Sequence, residues 1–234
     1  MTKLRVLDLF SGIGGFSLGL ERAGGFETVA FCEIEDFPRR VLAKHWPEVP
    51  CYDDVRNADF GSLGPVDLVT GGFPCQDISL AGEGAGLAGE RSGLFWEILR
   101  AACLVGRPRL LLENVAALLH RGMGSVLGAL ASCGYDAQWD CIQACDVGEP
   151  HRRDRVFITA NTDEVRELQP GWGICNQRGR AVHSIQATLR AYADNDGMRG
   201  DDVFAPRMDC VGNGVVAKIP QEIGYAILEA EVGL

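Results

Sequence analysis

The sequence predicts an α/β domain in which helices cover both faces of a mostly parallel β-sheet, and three observations support this fold class. Short apolar runs alternate with amphipathic helical patterns over residues 1–160, as a parallel sheet with helical crossovers requires. Glycine-rich turns and acidic residues follow several of these runs, at the sheet edge where ligands bind in such folds. Hydrophobic residues make up 47% of the 234 positions, enough for one buried core and too many for a disordered chain.

The individual elements are predicted from the period of their apolar residues. The run Leu-Arg-Val-Leu-Asp-Leu at residues 4–9 is typical of a buried strand, and Leu94, Ile98 and Leu99 mark one face of an amphipathic helix. Strands are expected at 4–9, 26–32, 66–70, 108–112, 135–144 and 155–160, with a short one just before Asp54. Helices are expected at 14–23, 36–45, 92–104, 124–132 and 215–228.

The pattern weakens in the last third of the chain. Asn, Asp, Gly and Arg dominate residues 161–210, apart from a short helical stretch at 184–192. We therefore expect a core at residues 1–160, an irregular insert or very small subdomain at 161–210, and a C-terminal helix at 211–234 that packs back on the core.

A glycine-rich turn after the first strand indicates a cofactor site. Residues 8–16 read Asp-Leu-Phe-Ser-Gly-Ile-Gly-Gly-Phe, and glycines let the backbone turn tightly and approach a ligand. Amides at the start of the next helix would face that ligand. Glu33 closes the second strand, where a carboxylate accepts hydrogen bonds from ribose hydroxyls, and Asp54 is placed to bind an adenine amine. The set predicts a nucleoside-bearing cofactor; a strand–turn–helix without a ligand is the alternative.

A second group of residues indicates covalent chemistry. Cys75 lies in Gly-Gly-Phe-Pro-Cys-Gln after the fourth strand, and a Gly/Pro loop suits a nucleophilic thiolate better than a core position. Glu113 ends the fifth strand, which neighbours the fourth in most doubly wound sheets, so we expect it beside Cys75. Arg153 and Arg155 would project to one side of an extended segment. The ordinary alternatives are a salt bridge at a strand end and solvated arginines in a turn.

These motifs, in this order, resemble those of the cytosine-C5 DNA methyltransferase family. The matching stretches are residues 8–16, Glu33, Asp54, 72–76 with Ser79, 90–100, 113–115, 148–158 and 212–216. The resemblance implies a Rossmann-like S-adenosylmethionine-dependent methyltransferase fold. It also implies methyl transfer from S-adenosylmethionine to C5 of cytosine in double-stranded DNA, through a covalent adduct between Cys75 and C6 of a base flipped out of the duplex.

The resemblance assigns roles to single residues. Cys75 would be the nucleophile, and Glu113 would hold N3 and the exocyclic amine of the base. Arg155 would bind the cytosine O2, while Arg153 would hold the catalytic loop or a phosphate. Cofactor contacts are implied for Phe10, Gly12, Ile13, Gly14, Gly15, Glu33, Asp54, Val55, Pro74, Leu94 and Asn213. Contacts with DNA or the base are implied for Phe73, Gln76, Ser79 and Arg91, and residues 77–91 resemble the mobile loop that closes over DNA. No metal is implied.

The chain departs from the family in the region that reads sequence. Only about 50 residues separate the last expected strand from the C-terminal motif, and the usual Arg/Thr-rich motif that anchors a target-recognition domain is not found there. Gly214 replaces the usual Ser or Ala, and His151 the usual Gln. The insert is either a minimal reader, the result of a deletion, or the docking point for a separate recognition chain. Its residues able to stack on or bond to DNA are Trp172, Arg178, Arg180, His183 and Arg190; solvated arginines on a small subdomain explain them equally well.

Other functions stay open at this point. A non-catalytic DNA-binding relative would be expected to lose Cys75 or Glu113, and both are present. A tRNA cytosine-C5 methyltransferase shares the same core, but Phe73 before Pro-Cys favours DNA. A catalytic subunit that needs a separate recognition chain also fits, and a companion endonuclease is a further expected partner. We expect a monomer.

The charge of the chain is the main objection to a nucleic-acid partner. Against 22 basic residues there are 32 acidic ones, a net charge of −10, whereas phosphate backbones attract basic surfaces. The excess acid lies mainly in the first 146 residues, while residues 147–207 carry nine arginines and nine acids. Because the local field governs the approach of a polyanion, we expect modest, salt-sensitive affinity for DNA.

Cysteine usage and hydropathy indicate the compartment. The nine cysteines contain no Cys-x-x-Cys pair, which argues against a zinc ribbon or redox pair and fits the reducing cytoplasm. The sequence begins without the apolar core of a secretory signal, and no apolar run has the length of a membrane span. We expect the cytoplasm of a bacterial cell or a phage-infected host.

Overall fold

The computed structural model describes residues 2–73, 93–162 and 214–232, and in them one seven-stranded sheet has the order β3-β2-β1-β4-β5-β7-β6. The strands β1 to β5 pair in parallel, whereas β7 runs antiparallel to both β5 and β6. Their bounds are β1 Leu4–Leu9, β2 Phe26–Cys32, β3 Cys51–Tyr52, β4 Leu68–Gly72, β5 Arg109–Val115, β6 Asp136–Gln143 and β7 Asp154–Asn161.

Helices lie on both faces of this sheet, which confirms the predicted fold class. The described helices are α1 Gly15–Ala23, α2 Asp36–His45, α3 Leu94–Leu104, α4 Met123–Ser132 and α5 Lys218–Val232. On one face α3 and α4 bury Phe95, Ile98 and Leu130 against the sheet. On the other, α1 and α5 bury apolar residues such as Leu20 and Ile223. Burying two apolar layers on one sheet is the stable solution for amphipathic helices of this kind.

Strands β4 and β5, which lead to the candidate site, extend further at their carboxyl ends than their apolar runs predict. The fourth strand begins at Leu68 and runs on to Gly72, and the fifth continues to Val115. The reason is pairing: Gly72 lies opposite Glu113 in the β4–β5 ladder, and Val115 lies opposite Arg155 in the β5–β7 ladder. Hydrogen bonding to neighbouring strands therefore carries polar residues into the sheet that hydrophobicity alone leaves out.

Helix α5 lies against α1 at very short range, and glycines permit the approach. A Cβ atom on Gly19 would lie 2.2 Å from the Ala217 carbonyl oxygen, and one on Gly15 would lie 2.4 Å from the Val215 carbonyl oxygen. From the other side, a Cβ on Gly224 would meet the Ala23 Cβ at 3.0 Å. The C-terminal helix is thus seated directly on the helix that follows the glycine turn.

Several sequence predictions fall outside the described residues. They are the loop at 77–91, the helical stretch at 184–192, the insert residues Trp172, Arg178, Arg180, His183 and Arg190, and most of the region 161–210. The three-part division of the chain therefore stays a prediction. None of the helices in the described ranges is long and apolar enough to span a bilayer.

Candidate active site

The turn between β1 and α1 has the strained geometry that its glycines suggest. Gly12 and Gly14 have φ angles of 52° and 85°, and Phe10 has a φ angle of 51°, in the left-handed region that favours glycine. The Ser11 hydroxyl holds the turn by donating to the Asp8 carbonyl at 2.6 Å. A Cβ on Gly14 would lie 2.8 Å from the Trp46 ring, whereas one on Gly12 would meet no atom of the described residues within 4 Å. Open space therefore faces the turn at Gly12.

Glu33 is anchored beside that open space. Its carboxylate is 8% exposed; Oε2 accepts the Gly12 N–H at 2.7 Å and Oε1 accepts the Glu35 N–H at 2.8 Å. Each carboxylate oxygen has capacity for a further hydrogen bond, so hydroxyl donors of a ribose fit this group. Next to it the Ile34 side chain is 63% exposed, an apolar surface suited to the face of a base. Ile34 was not predicted as a site residue; its one signal in the sequence is an apolar residue in an otherwise acidic loop at a strand end.

Asp54, which was predicted to bind an adenine amine, forms an ion pair with an arginine two residues away. It follows β3 by two residues, and its Oδ2 lies 2.6 Å from Arg56 Nη2. Hydrogen bonds from Arg56 lower the pKa of Asp54 to about 2, so the carboxylate is ionised and accepts only. Val55 is buried, and its carbonyl oxygen accepts a hydrogen bond from the Arg100 side chain. An adenine amine at Asp54 would share that carboxylate with Arg56.

Glu113 on β5 lies beside Gly72 at the end of β4, where the chain leads on to Cys75. A Cβ on its cross-strand neighbour Gly72 would be 3.3 Å from Glu113 Oε2, so a larger residue there would crowd the carboxylate by a few tenths of an ångström. Asn114 fixes the same segment, because its Nδ2 donates to the Phe73 carbonyl at 2.8 Å. The Phe73 ring is buried against Phe95, with ring centroids 5.0 Å apart. Asn114 lies in the matched stretch 113–115, but no role was predicted for it.

Glu113 and Arg155 form a charged pair at this edge of the sheet, which was not among the predictions from the sequence. Glu113 Oε1 lies 2.9 Å from Arg155 Nε, and both side chains are largely buried. The contact is mainly Coulombic. Burial raises the pKa of Glu113, and Arg155 and Arg153 oppose that rise. Glu113 therefore holds a proton more readily than an exposed carboxyl group does.

The other predicted site residues divide into two groups. Leu94 begins α3 and is half-buried, while Ile13 and Gly15 lie in the turn and at the start of α1. The second group consists of predicted site residues that lie outside the described ranges: Pro74, Cys75, Gln76, Ser79, Arg91 and Asn213. Among the side chains that are described, no three of the His, Cys, Asp or Glu type are grouped closely enough to hold a metal ion.

Comparison with known sequences gives a family match over most of the chain. Residues 4–195 match the family model described as C-5 cytosine-specific DNA methylase. The Type II methyltransferase M2.BsuMI of Bacillus subtilis is 38% identical over 169 residues, which cover 69% of this chain and 43% of the relative. The Type II methyltransferase M.NgoBI of Neisseria gonorrhoeae is 33% identical, with 69% and 51% covered. The chain thus spans about half the length of these curated relatives or less.

Solved structures agree with the fold. A protein described as a DNA modification methyltransferase encoded within an Escherichia coli prophage is 28% identical, with a TM-score of 0.56 over 69% of this chain and 47% of that one. A mutant of Spodoptera frugiperda DNMT2 is similar in fold at 20% identity, with a TM-score of 0.57 and coverage of 78% and 56%.

Proposed function

The chain belongs to the C-5 cytosine-specific DNA methylases, and from that membership we propose that it transfers a methyl group from S-adenosylmethionine to C5 of cytosine in double-stranded DNA. Its pairing of Glu113 with Arg155, 2.9 Å apart beside the segment of Cys75, is the observation that carries the proposal. A carboxyl group with a raised pKa and an adjacent guanidinium match the edge of a cytosine, which presents N3, an amine and O2.

The described part of the cofactor site fits S-adenosylmethionine in the chemistry of its donors and acceptors. Glu33 offers carboxylate oxygens to ribose hydroxyls, Ile34 offers an apolar surface to the adenine, and Asp54 offers an acceptor to its amine. Space faces Gly12 at the turn. When bound, this cofactor supplies an electrophilic methyl group on a sulfonium. Phe10, Ile13, Val55, Leu94 and Asn213 complete the proposed contacts, with Pro74 from the nucleophile segment.

The chemistry needs a nucleophile on the protein because C5 of cytosine is itself a weak one. We assign that role to Cys75: its thiolate adds to C6 and moves an electron pair to C5. The enamine carbon C5 would then bond the methyl group as the bond between that methyl group and its sulfur breaks. Loss of the C5 proton and expulsion of the Cys75 thiolate restore the double bond between C5 and C6. Protein and base are thereby returned to their starting states, apart from the methyl group.

Glu113 and its arginines stabilise the charge that develops on the ring. A protonated Glu113 donates to N3 as electron density rises there, and its other oxygen accepts from the exocyclic amine. Burial favours that proton, since it raises the pKa of Glu113. Arg155 binds the cytosine O2, and Arg153 orders the catalytic segment or a phosphate. A base in a duplex cannot reach these groups, so it is flipped out of the stack, with Phe73, Gln76, Ser79 and Arg91 against the base or DNA.

A single assay tests the proposed function. Purified chain is incubated with S-adenosylmethionine that carries a tritiated methyl group. One reaction contains mixed-sequence duplex DNA, and a parallel reaction contains tRNA. Label in DNA at cytosine C5, mapped by bisulfite sequencing, is the expected result. Label in tRNA alone would contradict the choice of substrate, and label in neither would contradict activity of this chain by itself.

The proposal also covers how the chain recognises DNA sequence and where in the cell it works. The region 161–210 is short for a reader of DNA sequence, so we propose that it either gives loose specificity or is completed by a separate recognition chain. A companion endonuclease fits the restriction-modification context of the Type II relatives. We also propose that the chain is a monomer. The described cysteines are free thiols, which fits the reducing cytoplasm of a bacterial or phage-infected cell.

A further inference from the structure

We infer that Asp8 is a specificity-determining residue that keeps anionic ligands, above all phosphate-bearing nucleotides, out of the glycine turn at residues 10–15. The inference rests on the proposed cofactor site and deepens it. In many α/β folds the helix after the first strand presents free amides and a positive dipole end, which bind phosphate. In this chain a carboxylate of the protein itself already holds that position.

Asp8 caps helix α1 from the neighbouring strand. Its carboxylate is fully buried; Oδ2 accepts the Ser17 hydroxyl at 2.7 Å and Oδ1 accepts the Thr70 hydroxyl at 2.8 Å. It also accepts the backbone N–H of Ser17, the third residue of α1. Gly14 at the N-cap has no side chain to cap the helix, and the first turn contains no acidic residue. Asp8 therefore does what an N-cap carboxylate does elsewhere, and it compensates the helix dipole.

The backbone donors of the turn are also used within the protein. The Gly12 N–H donates to Glu33 Oε2 at 2.7 Å. The Gly14 N–H donates to the Ser11 carbonyl at 2.8 Å, and the Ser11 N–H donates to the Cys32 carbonyl at 3.2 Å. A phosphate cradle needs several such groups aimed at the ligand. Here three of the turn's amides point to protein oxygens instead.

The turn lies against two carboxylates, those of Asp8 and Glu33. Burial raises the pKa of Asp8 to about 6, hydrogen bonds from Ser17 and Thr70 limit the rise, and Glu33 adds to it. Asp8 is thus ionised at pH 8, and the charged neighbour that acts on it is a second carboxylate. Two partly desolvated negative charges repel a phosphate and attract a cation, such as the sulfonium of the proposed cofactor. The turn therefore discriminates between nucleosides by the charge that they carry.

Adenosine and adenosine 5′-monophosphate test this directly, because they differ only by the phosphate. We would measure both dissociation constants at pH 8 by equilibrium dialysis with the full chain, and that of S-adenosylhomocysteine as a check of the cofactor site. Wild-type protein is expected to bind adenosine more tightly than the monophosphate by about tenfold or more. In Asp8→Asn the ratio of the two constants should fall by about tenfold. Asp67→Asn removes an exposed carboxylate at the opposite edge of the sheet and should leave the ratio unchanged.

The outcomes separate this inference from the proposed function. Equal or tighter binding of the monophosphate by the wild-type chain would overturn the role of Asp8 without any variant, so the test survives if Asp8→Asn does not fold. An unchanged ratio in a folded Asp8→Asn protein would overturn it too. If wild-type protein fails to bind S-adenosylhomocysteine, the proposed cofactor site fails, and the inference with it. If S-adenosylhomocysteine binds and the ratio does not respond, only the inference fails.

Discussion

A methyl group added at Gly19 tests whether α5 is seated on α1 as closely as described. In Gly19→Ala the new Cβ would lie 2.2 Å from the Ala217 carbonyl oxygen, 2.9 Å from the Pro220 Cβ and 3.0 Å from the Gln221 backbone nitrogen. These atoms belong to the backbone or to a rigid ring, so they cannot move aside without shifting the start of α5. Overpacking of this kind costs about 1–3 kcal/mol, and such short contacts place the cost at the upper end.

Part of that cost is offset, because alanine is a better helix former than glycine by about 1 kcal/mol. The matched control is Gly128→Ala in the interior of α4, where a Cβ would meet no atom of the described part of the chain within 4 Å. It keeps the gain in propensity without the clash. We expect Gly19→Ala to lose about 2 kcal/mol of unfolding free energy, or about 4–8 °C in Tm. Gly128→Ala should gain up to about 1 kcal/mol.

Thermal and urea unfolding followed by circular dichroism measure both variants. A Gly19→Ala protein as stable as Gly128→Ala would refute the close packing of the C-terminal helix on the helix of the glycine turn. A second readout is the dissociation constant of S-adenosylhomocysteine, which should rise in Gly19→Ala alone because α1 begins at the turn.

Three further changes probe the site itself. Glu113→Gln should slow methyl transfer by about 10²–10⁴-fold with an unchanged circular dichroism spectrum, and near-normal turnover would reject its assigned role. Asn114→Ala removes the hydrogen bond to the Phe73 carbonyl; it should cost about 1 kcal/mol of stability and lower kcat while S-adenosylhomocysteine binds as before, whereas an unaltered kcat would show that Asn114 does not position the nucleophile segment. The pKa of Asp8, about 6 against an ordinary 3.8, means that its contribution to stability is fully present below pH 3.8 and is lost as pH rises through 6, by up to about 3 kcal/mol. Urea unfolding between pH 4 and pH 8 should therefore show wild-type protein losing stability relative to Asp8→Asn, and parallel pH profiles would contradict a buried, titrating carboxylate.

The fold follows from sequence where hydrophobicity and turn residues agree. The bounds of Leu4–Leu9, Phe26–Cys32 and Asp36–His45 coincide with their predicted ranges, because each is an apolar or amphipathic run that is followed by an acidic or an aromatic residue. The extension of β4 to Gly72 and of β5 to Val115 does not follow, since those residues join the sheet through partners distant in sequence. Pairing across strands decides such ends, and a single strand's pattern does not contain it.

The candidate site shows the same division. The position of Glu113 beside the end of β4 could be predicted, because the ends of neighbouring parallel strands meet at one edge of the sheet. Its pairing with Arg155 could not, because it depends on β7 running antiparallel beside β5. The ion pair between Arg56 and Asp54 could not be predicted from the sequence either, nor could the capping of α1 by the Asp8 carboxylate. Asp8 sits in an apolar strand, and its partners Ser17 and Thr70 are nine and 62 positions away. Only the folded backbone shows that the three form one buried network.

The covalent step at Cys75 is the centre of the proposed function, and duplex DNA that contains 5-fluorocytosine tests it most directly. Fluorine at C5 cannot leave as the proton does, so methyl transfer should stop at the adduct between the Cys75 sulfur and C6. Mass spectrometry of the denatured complex is expected to show wild-type chain joined to methylated DNA through the peptide that contains Cys75, and no such species with Cys75→Ser. Methylation of ordinary DNA by Cys75→Ser, or a wild-type adduct on any other residue, would contradict the mechanism.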